Sequence, residues 1–422
     1  TFNPRNLHYS YPLDNQQHVA PRTIVALQFS QEVTAEASNF VFSGPEGGVP
    51  FTLESVADGR GVVLTPDDAL NPATDYEVVM DGVTVLGETV NFSDGALNFT
   101  TRAALEGPIS TQKSAADFKV DSLFPDDQQF ESMDFTTFRL RTSHPIDEST
   151  AMYGDTISLT RDGELVPAQL LVGRTAISVD PKEDMAPGAT YELSVNGLKS
   201  VFGDDIEAYT HTTVPQDTTS PTTGERAVLV TNAPPADPSL GCQDEGVRVS
   251  ELTGQPINCV PLNSTLLQDK TVSKQKGDVY AELAFTPNFP EVTPLRVKKG
   301  GILKGDSLEV LIGGAVPVGF DSGDVTVQII SDASGYLFPN PNAESDDAPK
   351  KLRLFMDVAF ATKDPRANGA FTQKLLHLEL VGAGLIEDGQ LIADAITIVE
   401  PRVLGVDSAY GVLSFRMESY QD

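Results

Sequence analysis

The sequence predicts an all-β protein: two similar β-sandwiches in tandem, followed by a larger β-sandwich. Three observations carry that prediction. Apolar and polar residues alternate over short runs, which is the period of a half-buried strand. Glycine (34) and proline (29) interrupt the 422-residue chain at short intervals, so long helices have no room. A set of landmarks also recurs once, at offsets of 112–115 residues.

The alternation is clear near the N-terminus. Thr23, Val25, Leu27 and Phe29 share one face, with Gln28 and Ser30 on the other. It returns at Val279, Ala281, Leu283 and Phe285, and again at Leu352, Leu354, Met356, Val358 and Phe360. Pro12-Leu13-Asp14-Asn15-Gln16-Gln17 is echoed by Pro125-Asp126-Asp127-Gln128-Gln129, and Leu64-Thr65-Pro66 by Val179-Asp180-Pro181. The longest match sets Leu70 to Val78 (LNPATDYEV) against Met185 to Leu193 (MAPGATYEL). Each copy then reaches Asp81-Gly82 or Asn196-Gly197 and closes on Phe99-Thr100-Thr101 or His211-Thr212-Thr213. Two related domains, 1–104 and 118–215, follow. Leu70 and Met185 should plug the core before a turn stiffened by Pro72 and Pro187. Tyr76 and Tyr191 should enter the next strand with a buried ring and a hydroxyl free to meet the backbone, in the manner of a tyrosine corner.

These landmarks resemble the bacterial Ig-like domains of surface and S-layer proteins. The first copy carries all of them; the second departs at Thr142 to Ile146 and at His211, where the family usually has Phe-Ser and Phe. The resemblance covers residues 1 to about 215. It implies an Ig-like fold for both copies and no particular chemistry, because such modules serve as spacers, stalks and appendages alike.

Residues 105–117 read as a polar linker, and 215–226 (PQDTTSPTTGER) as a semi-stiff one. The remaining segment, 226–422, does not repeat the pattern. Its eight or more strands predict a jelly-roll-like or large Ig-like sandwich, or two smaller sandwiches divided near Thr293. Residues 336–350 read as one long loop.

Composition excludes several classes of function. A net charge of −31 repels nucleic-acid phosphates and anionic lipid. The longest apolar run, 311–320, contains three glycines and a proline and is too short to span a bilayer. The chain begins at Thr1 with no basic segment followed by an apolar run, which leaves open whether a signal has been removed. Cys242 and Cys259, the two cysteines, are expected to form a local disulfide. With the acidic, Thr- and Asn-rich composition, they point to a secreted or cell-surface protein, with periplasmic or outer-membrane attachment as variants.

Catalytic signatures are missing. His8, His18, His144, His211 and His377 have no metal-ligand spacing, and no nucleophile elbow or phosphate loop occurs. His377 is expected on the solvent side of a strand, and His211 in a core where the first copy has Phe99. Adjacent acids such as Asp126-Asp127 and Asp346-Asp347 leave calcium as the one cofactor to consider, at no named site. Tyr336, Phe338, Tyr410 and Tyr420 are candidate sugar platforms, with core or loop packing as the plainer role.

The sequence therefore reads as a non-catalytic structural or adhesive surface protein. Its Ig-like stalk would lie end to end with a C-terminal head that binds other surface proteins, further copies of itself, or surface polysaccharide. A carbohydrate- or ligand-binding head and the accessory portion of a secreted hydrolase are the alternatives. Within the head, the cysteine-bounded loop 242–259, the loop 336–350, and the Lys298-Lys299 and Lys350-Lys351 pairs are the expected contact points.

Overall fold

In the computed structural model Val25–Phe29 is a strand, with Val25, Leu27 and Phe29 in a core and Ala26 facing the opposite way. The model describes residues 6–105, 117–232, 239–264, 266–268, 271–312, 316–342, 349–373, 375–405 and 407–420. Val25–Phe29 pairs antiparallel with Leu7–Tyr11 and Gly61–Pro66, and Phe51–Val56 completes the sheet. The facing sheet runs Gln16–Val19, Leu97–Thr101, Asp75–Met80, Phe40–Gly44 and Gly47–Gly48. Leu70 is buried, and the Tyr76 ring stacks on Phe99 with centroids 5.8 Å apart. The Asn71 backbone N–H donates to the Tyr76 hydroxyl at 2.8 Å.

The second copy repeats this construction. Its sheets run Val120–Phe124, Phe138–Thr142, Ala176–Pro181, Ala168–Gly173 and Glu164–Leu165, Ile157–Arg161, Tyr191–Val195, Tyr209–Thr213. Met185 is buried, and the Ala186 N–H donates to the Tyr191 hydroxyl at 2.9 Å. One equivalence changes. Phe99 lies opposite Tyr76, whereas Tyr191 lies opposite buried Thr213, not His211. His211 is half-buried outside the core, with Nε2 2.7 Å from Asp127.

The third unit closes on itself. The strands that build its wall are β1 (Ala227–Asn232), β2 (Cys259–Pro261), β3 (Val272–Lys274), β4 (Val279–Leu283), β5 (Thr293–Val297) and β6 (Ile302–Gly305). Then come β7 (Val325–Ile329), β8 (Ala333–Phe338), β9 (Lys350–Thr362), β10 (Leu375–Glu387), β11 (Gln390–Val399) and β12 (Gly411–Tyr420). Pairing runs β1–β4–β5–β8–β9–β10–β11–β12 and returns to β1, antiparallel throughout. This is an eight-stranded barrel, not the stacked sandwich expected, and closure removes the free sheet edges that a sandwich would leave. Thr293 opens β5 inside the ring, so no domain division falls there. Residues 336–338 belong to β8; of the loop expected at 336–350, residues 343–348 lie outside those described.

The four longest strands outrun this ring. At 13 residues each, β9 and β10 extend about 40 Å. Along the far half of β9 the wall continues through β7 and β6, crosses the Lys276–Lys304 bridge to β3 and β2, and reaches β12 through the Asn263–Tyr410 bridge. Leu352, Leu354, Met356, Val358 and Phe360 of β9 and Leu376, Leu378 and Leu380 of β10 share the apolar interior. One short helix, Pro365–Ala370, lies between β9 and β10. No helix among the described residues is long and apolar enough to cross a membrane.

Both sandwiches dock on the outer wall of the barrel, which overturns the end-to-end stalk. In each, the first strand carries a bulge, between Leu7 and Tyr9 or between Val120 and Ser122, and the register shifts there. Such a bulge re-aims the side chains that follow it. Tyr9 and Tyr11, with Ile24 and Ala26, pack on Val381 of β10 and Ile396 of β11. The Tyr9 hydroxyl donates to the Val381 carbonyl at 2.9 Å. Phe124, Phe130 and Phe135 of the second copy pack with Phe289, Tyr336 of β8 and Phe355 of β9.

Polar groups align the second interface. Asp357 of β9 is fully buried, 3.3 Å from Arg139 and 2.5 Å from His377. His377 does point away from the leucine face, yet it meets the second sandwich instead of solvent. Burial alone would raise the Asp357 carboxyl, but Arg139 and His377 outweigh it and hold the group well below the ordinary carboxylate range. The 215–226 segment is also docked. Thr218 is buried, and Arg226 reaches Asp134 at 2.9 Å and Asp184 at 2.8 Å. The linker expected at 105–117 lies mostly outside the described residues.

Two outcomes follow. Small-angle scattering should give a radius of gyration near ~22 Å, the value for one compact body of this length; an end-to-end rod would exceed it by far. Asp357→Ala should lower stability by about 3 kcal/mol at pH 7, because it strands the buried Arg139 charge. The depressed carboxyl favours the folded state at all pH above about 4, and that contribution fades below pH 4. Urea midpoints at pH 7, 5 and 3 should therefore show the difference between wild type and variant narrowing only at the last.

Candidate functional site

The interior of the barrel holds a cavity of about 70 Å³. Its wall combines inward residues of successive strands: Leu303 of β6, Val327 of β7, Met356 and Phe360 of β9, Leu378 of β10, Leu413 and Phe415 of β12. Each occupies the inward half of an alternating strand, so the lining follows from the pattern that makes the strands. Polar groups in the wall are largely engaged by the protein. The Thr231 hydroxyl donates to the Val279 carbonyl at 2.8 Å. The Asn258 side-chain oxygen accepts from the Arg416 backbone N–H at 3.1 Å. The Gln275 side-chain oxygen alone is buried without a partner among these three. Apart from these groups and Arg416, whose guanidinium is held by Glu418 and Asp394, the lining is apolar, so an ion or a sugar would lose hydration there and recover few hydrogen bonds.

The residues singled out from the sequence lie elsewhere. Cys242 and Cys259 are bonded, with Cα atoms 6.1 Å apart, and Cys259 opens β2 in the barrel wall. The loop between them is not a free binding loop. Leu252 packs against Tyr9 and Tyr11 of the first sandwich, and the Thr253 and Ser414 hydroxyls are 2.6 Å apart. Tyr336 is 1% exposed and, with Phe338, packs on Phe130, which removes both as sugar platforms. Arg22 stands 5.0 Å over the Tyr410 ring. The side chain of Tyr420 lies outside the described residues.

Nor do the lysine pairs wait for an acidic partner. Lys298 lies 3.4 Å from Glu282, and Lys299 lies 3.8 Å from Asp180 of the second sandwich. Lys350 donates to the Pro290 carbonyl at 2.7 Å. Burial lowers Lys351, with the charge of Asp14 opposing the shift. Among the described residues, no three His, Cys, Asp or Glu side chains converge as a metal site would need.

Comparison with known proteins places the first sandwich. Residues 3–101 match the bacterial Ig-like domain family. Across 99% of its length the chain is 33% identical to alkane uptake protein B of Marinobacter nauticus, covering 42% of that protein. It is 22% identical to an S-layer protein of Geobacillus stearothermophilus over 59% of this chain and 21% of that one. The chain thus spans less than half the length of either relative. The crystal structure of the N-terminal part of a bacterial S-layer protein is 18% identical, covering 40% of this chain and 41% of that one, with a TM-score of 0.22. These relatives are named for uptake and for a surface layer, and neither name is that of an enzyme.

Opening the Cys242–Cys259 bond tests the upper wall of the barrel. The denatured, unreduced protein should titrate no free thiol. The Cys242→Ser, Cys259→Ser double variant should lose about 3 kcal/mol, since the closed loop no longer restrains the unfolded chain.

Proposed function

We propose that this chain is a non-catalytic part of a bacterial surface protein, and that its barrel takes the end of an aliphatic hydrocarbon chain. The apolar cavity inside the barrel carries the reading. Similarity along nearly the whole chain to a protein named for alkane uptake supports it.

An aliphatic ligand suits this interior physically. It needs no polar anchor, and its binding energy comes from area removed from water. At about 70 Å³ the cavity admits only a short end of such a chain as it stands. Further insertion requires side chains to move. Met356 and Met417, both in the lining, are unbranched and re-pack at low cost. The docked sandwiches hold the outer wall, so the adjustment falls on the interior. On this reading the Ig-like domains brace the barrel rather than extend it from the surface.

The chain contains no Trp, so a single introduced one reports without background. Phe415→Trp, titrated with linear alkanes from pentane to decane, should show a saturable change in emission. Each added CH₂ should tighten binding about fourfold, equivalent to about 0.8 kcal/mol, until the cavity is full. Leu378→Phe in the same background fills the space and should abolish the change. Emission that does not saturate, or a response unaffected by Leu378→Phe, overturns the proposal.

A further inference from the structure

A second cavity, of about 100 Å³, lies where the three domains meet, on the outer face of β10 and β11. Its chemistry is the reverse of the barrel interior. Arg102 from the first sandwich, Arg141 and Arg174 from the second, and Glu379 and Glu400 from the barrel line it, with His18 and His377. Three guanidinium groups therefore face two carboxylates.

Both carboxylates are already matched. Arg102 grips Glu400 with Nε and Nη2 at 2.8 and 2.5 Å. Glu379 accepts from Arg353 Nε, which lies outside the cavity lining, at 2.8 Å. Arg174 donates to the Glu400 carbonyl at 3.0 Å. His377 is bound to Asp357. His18 contributes no positive charge near neutrality, because burial and then the charge of Arg141 push it down to about 3. That leaves Arg141. Its guanidinium makes no direct hydrogen bond or ion pair with any described residue; Glu379, Asp357 and Glu400 act on it only from a distance, and burial at the junction outweighs them and lowers its pKa. An enclosed cation without a partner is costly, and a cavity beside it is where a counter-ion would repay that cost.

We propose that this junction is a binding site for a small oxyanion, a carboxylate or an inorganic phosphate or sulfate, with Arg141 as its main ligand. Arginine presents a planar fork of donors that suits two oxygens of such an anion. The volume holds roughly a few waters or one such anion, and excludes a sugar ring. Because the lining comes from all three domains, the anion ties them together. The site lies across β10 from the barrel interior: Leu376 and Leu378 border both cavities, while His377 and Glu379 border only this one.

The test uses the whole chain in chloride buffer at constant ionic strength, titrated separately with acetate, phosphate and sulfate. Wild type should show a saturable rise in Tm of about 2–4 °C with at least one of them. The three arms separate a carboxylate site from a phosphate or sulfate site. Arg141→Gln should remove the rise, while Arg366→Gln, a change in an exposed pair with Asp364, should keep it. Should Arg141→Gln fail to fold, a crystal of the wild-type chain soaked in selenate decides, with an anomalous peak expected beside Arg141. A cavity that holds water only, seen as no saturable rise and no peak, overturns the proposal. So does an Arg141→Gln protein that responds as wild type does.

Discussion

The ladder of ten residue pairs between β9 and β10 is the interaction on which the rest of the molecule depends. It joins the two longest strands and closes the barrel there. Its inner side supplies Leu354, Met356 and Val358 opposite Leu380, Leu378 and Leu376, and so builds the apolar interior. Its outer side supplies Phe355 and Val381, against which the two sandwiches pack. A wall that is apolar on both faces must be covered on both. Slipping that register by one residue would turn the leucines outward and drive Asp357 and His377 into the barrel.

Much of the first half was legible because its information is local. The turn at Pro72, the buried Leu70 and the hydroxyl of Tyr76 sit within a few residues of one another, and the same group recurs at Met185 to Tyr191. The alternation at Leu352 to Phe360 likewise identified a strand and its buried face. Closure was another matter, since it depends on β12 returning to β1 across nearly the whole domain. The alternating pattern of a barrel strand is that of a sandwich strand, so only the pairing distinguishes them. In the structure the ring strands pair in chain order, each with the one before it, which makes an up-and-down ring and not a jelly roll. The docking faces were hidden for a related reason. Tyr9, Tyr11 and Phe124 read as ordinary core residues until a bulge turns them outward.

Charge was the other feature that composition alone could not resolve. A net charge of −31 describes a surface, yet several arginines of this chain sit at its internal boundaries. Arg139 meets Asp357, Arg102 meets Glu400, and Arg296 meets Asp184, pairs separated by more than a hundred residues in sequence. Such buried or half-buried pairs add little net stability against an apolar alternative, but a wrong docking would leave each charge unmatched. They select one arrangement of three domains. His377, lying between leucines in sequence, shows how local context misleads: its neighbours alternate as an exposed strand would, and its partners come from two other segments.

The account's central claim is that the barrel interior, not a surface loop, receives the ligand. The most direct measurement is a crystal structure of the chain grown with a 1-bromoalkane of about eight carbons. The account predicts an anomalous bromine signal or continuous chain density inside the barrel, among Met356, Leu378 and Phe415. Bromine found only at the surface, with the interior side chains unmoved and the cavity filled by nothing but solvent, would contradict it.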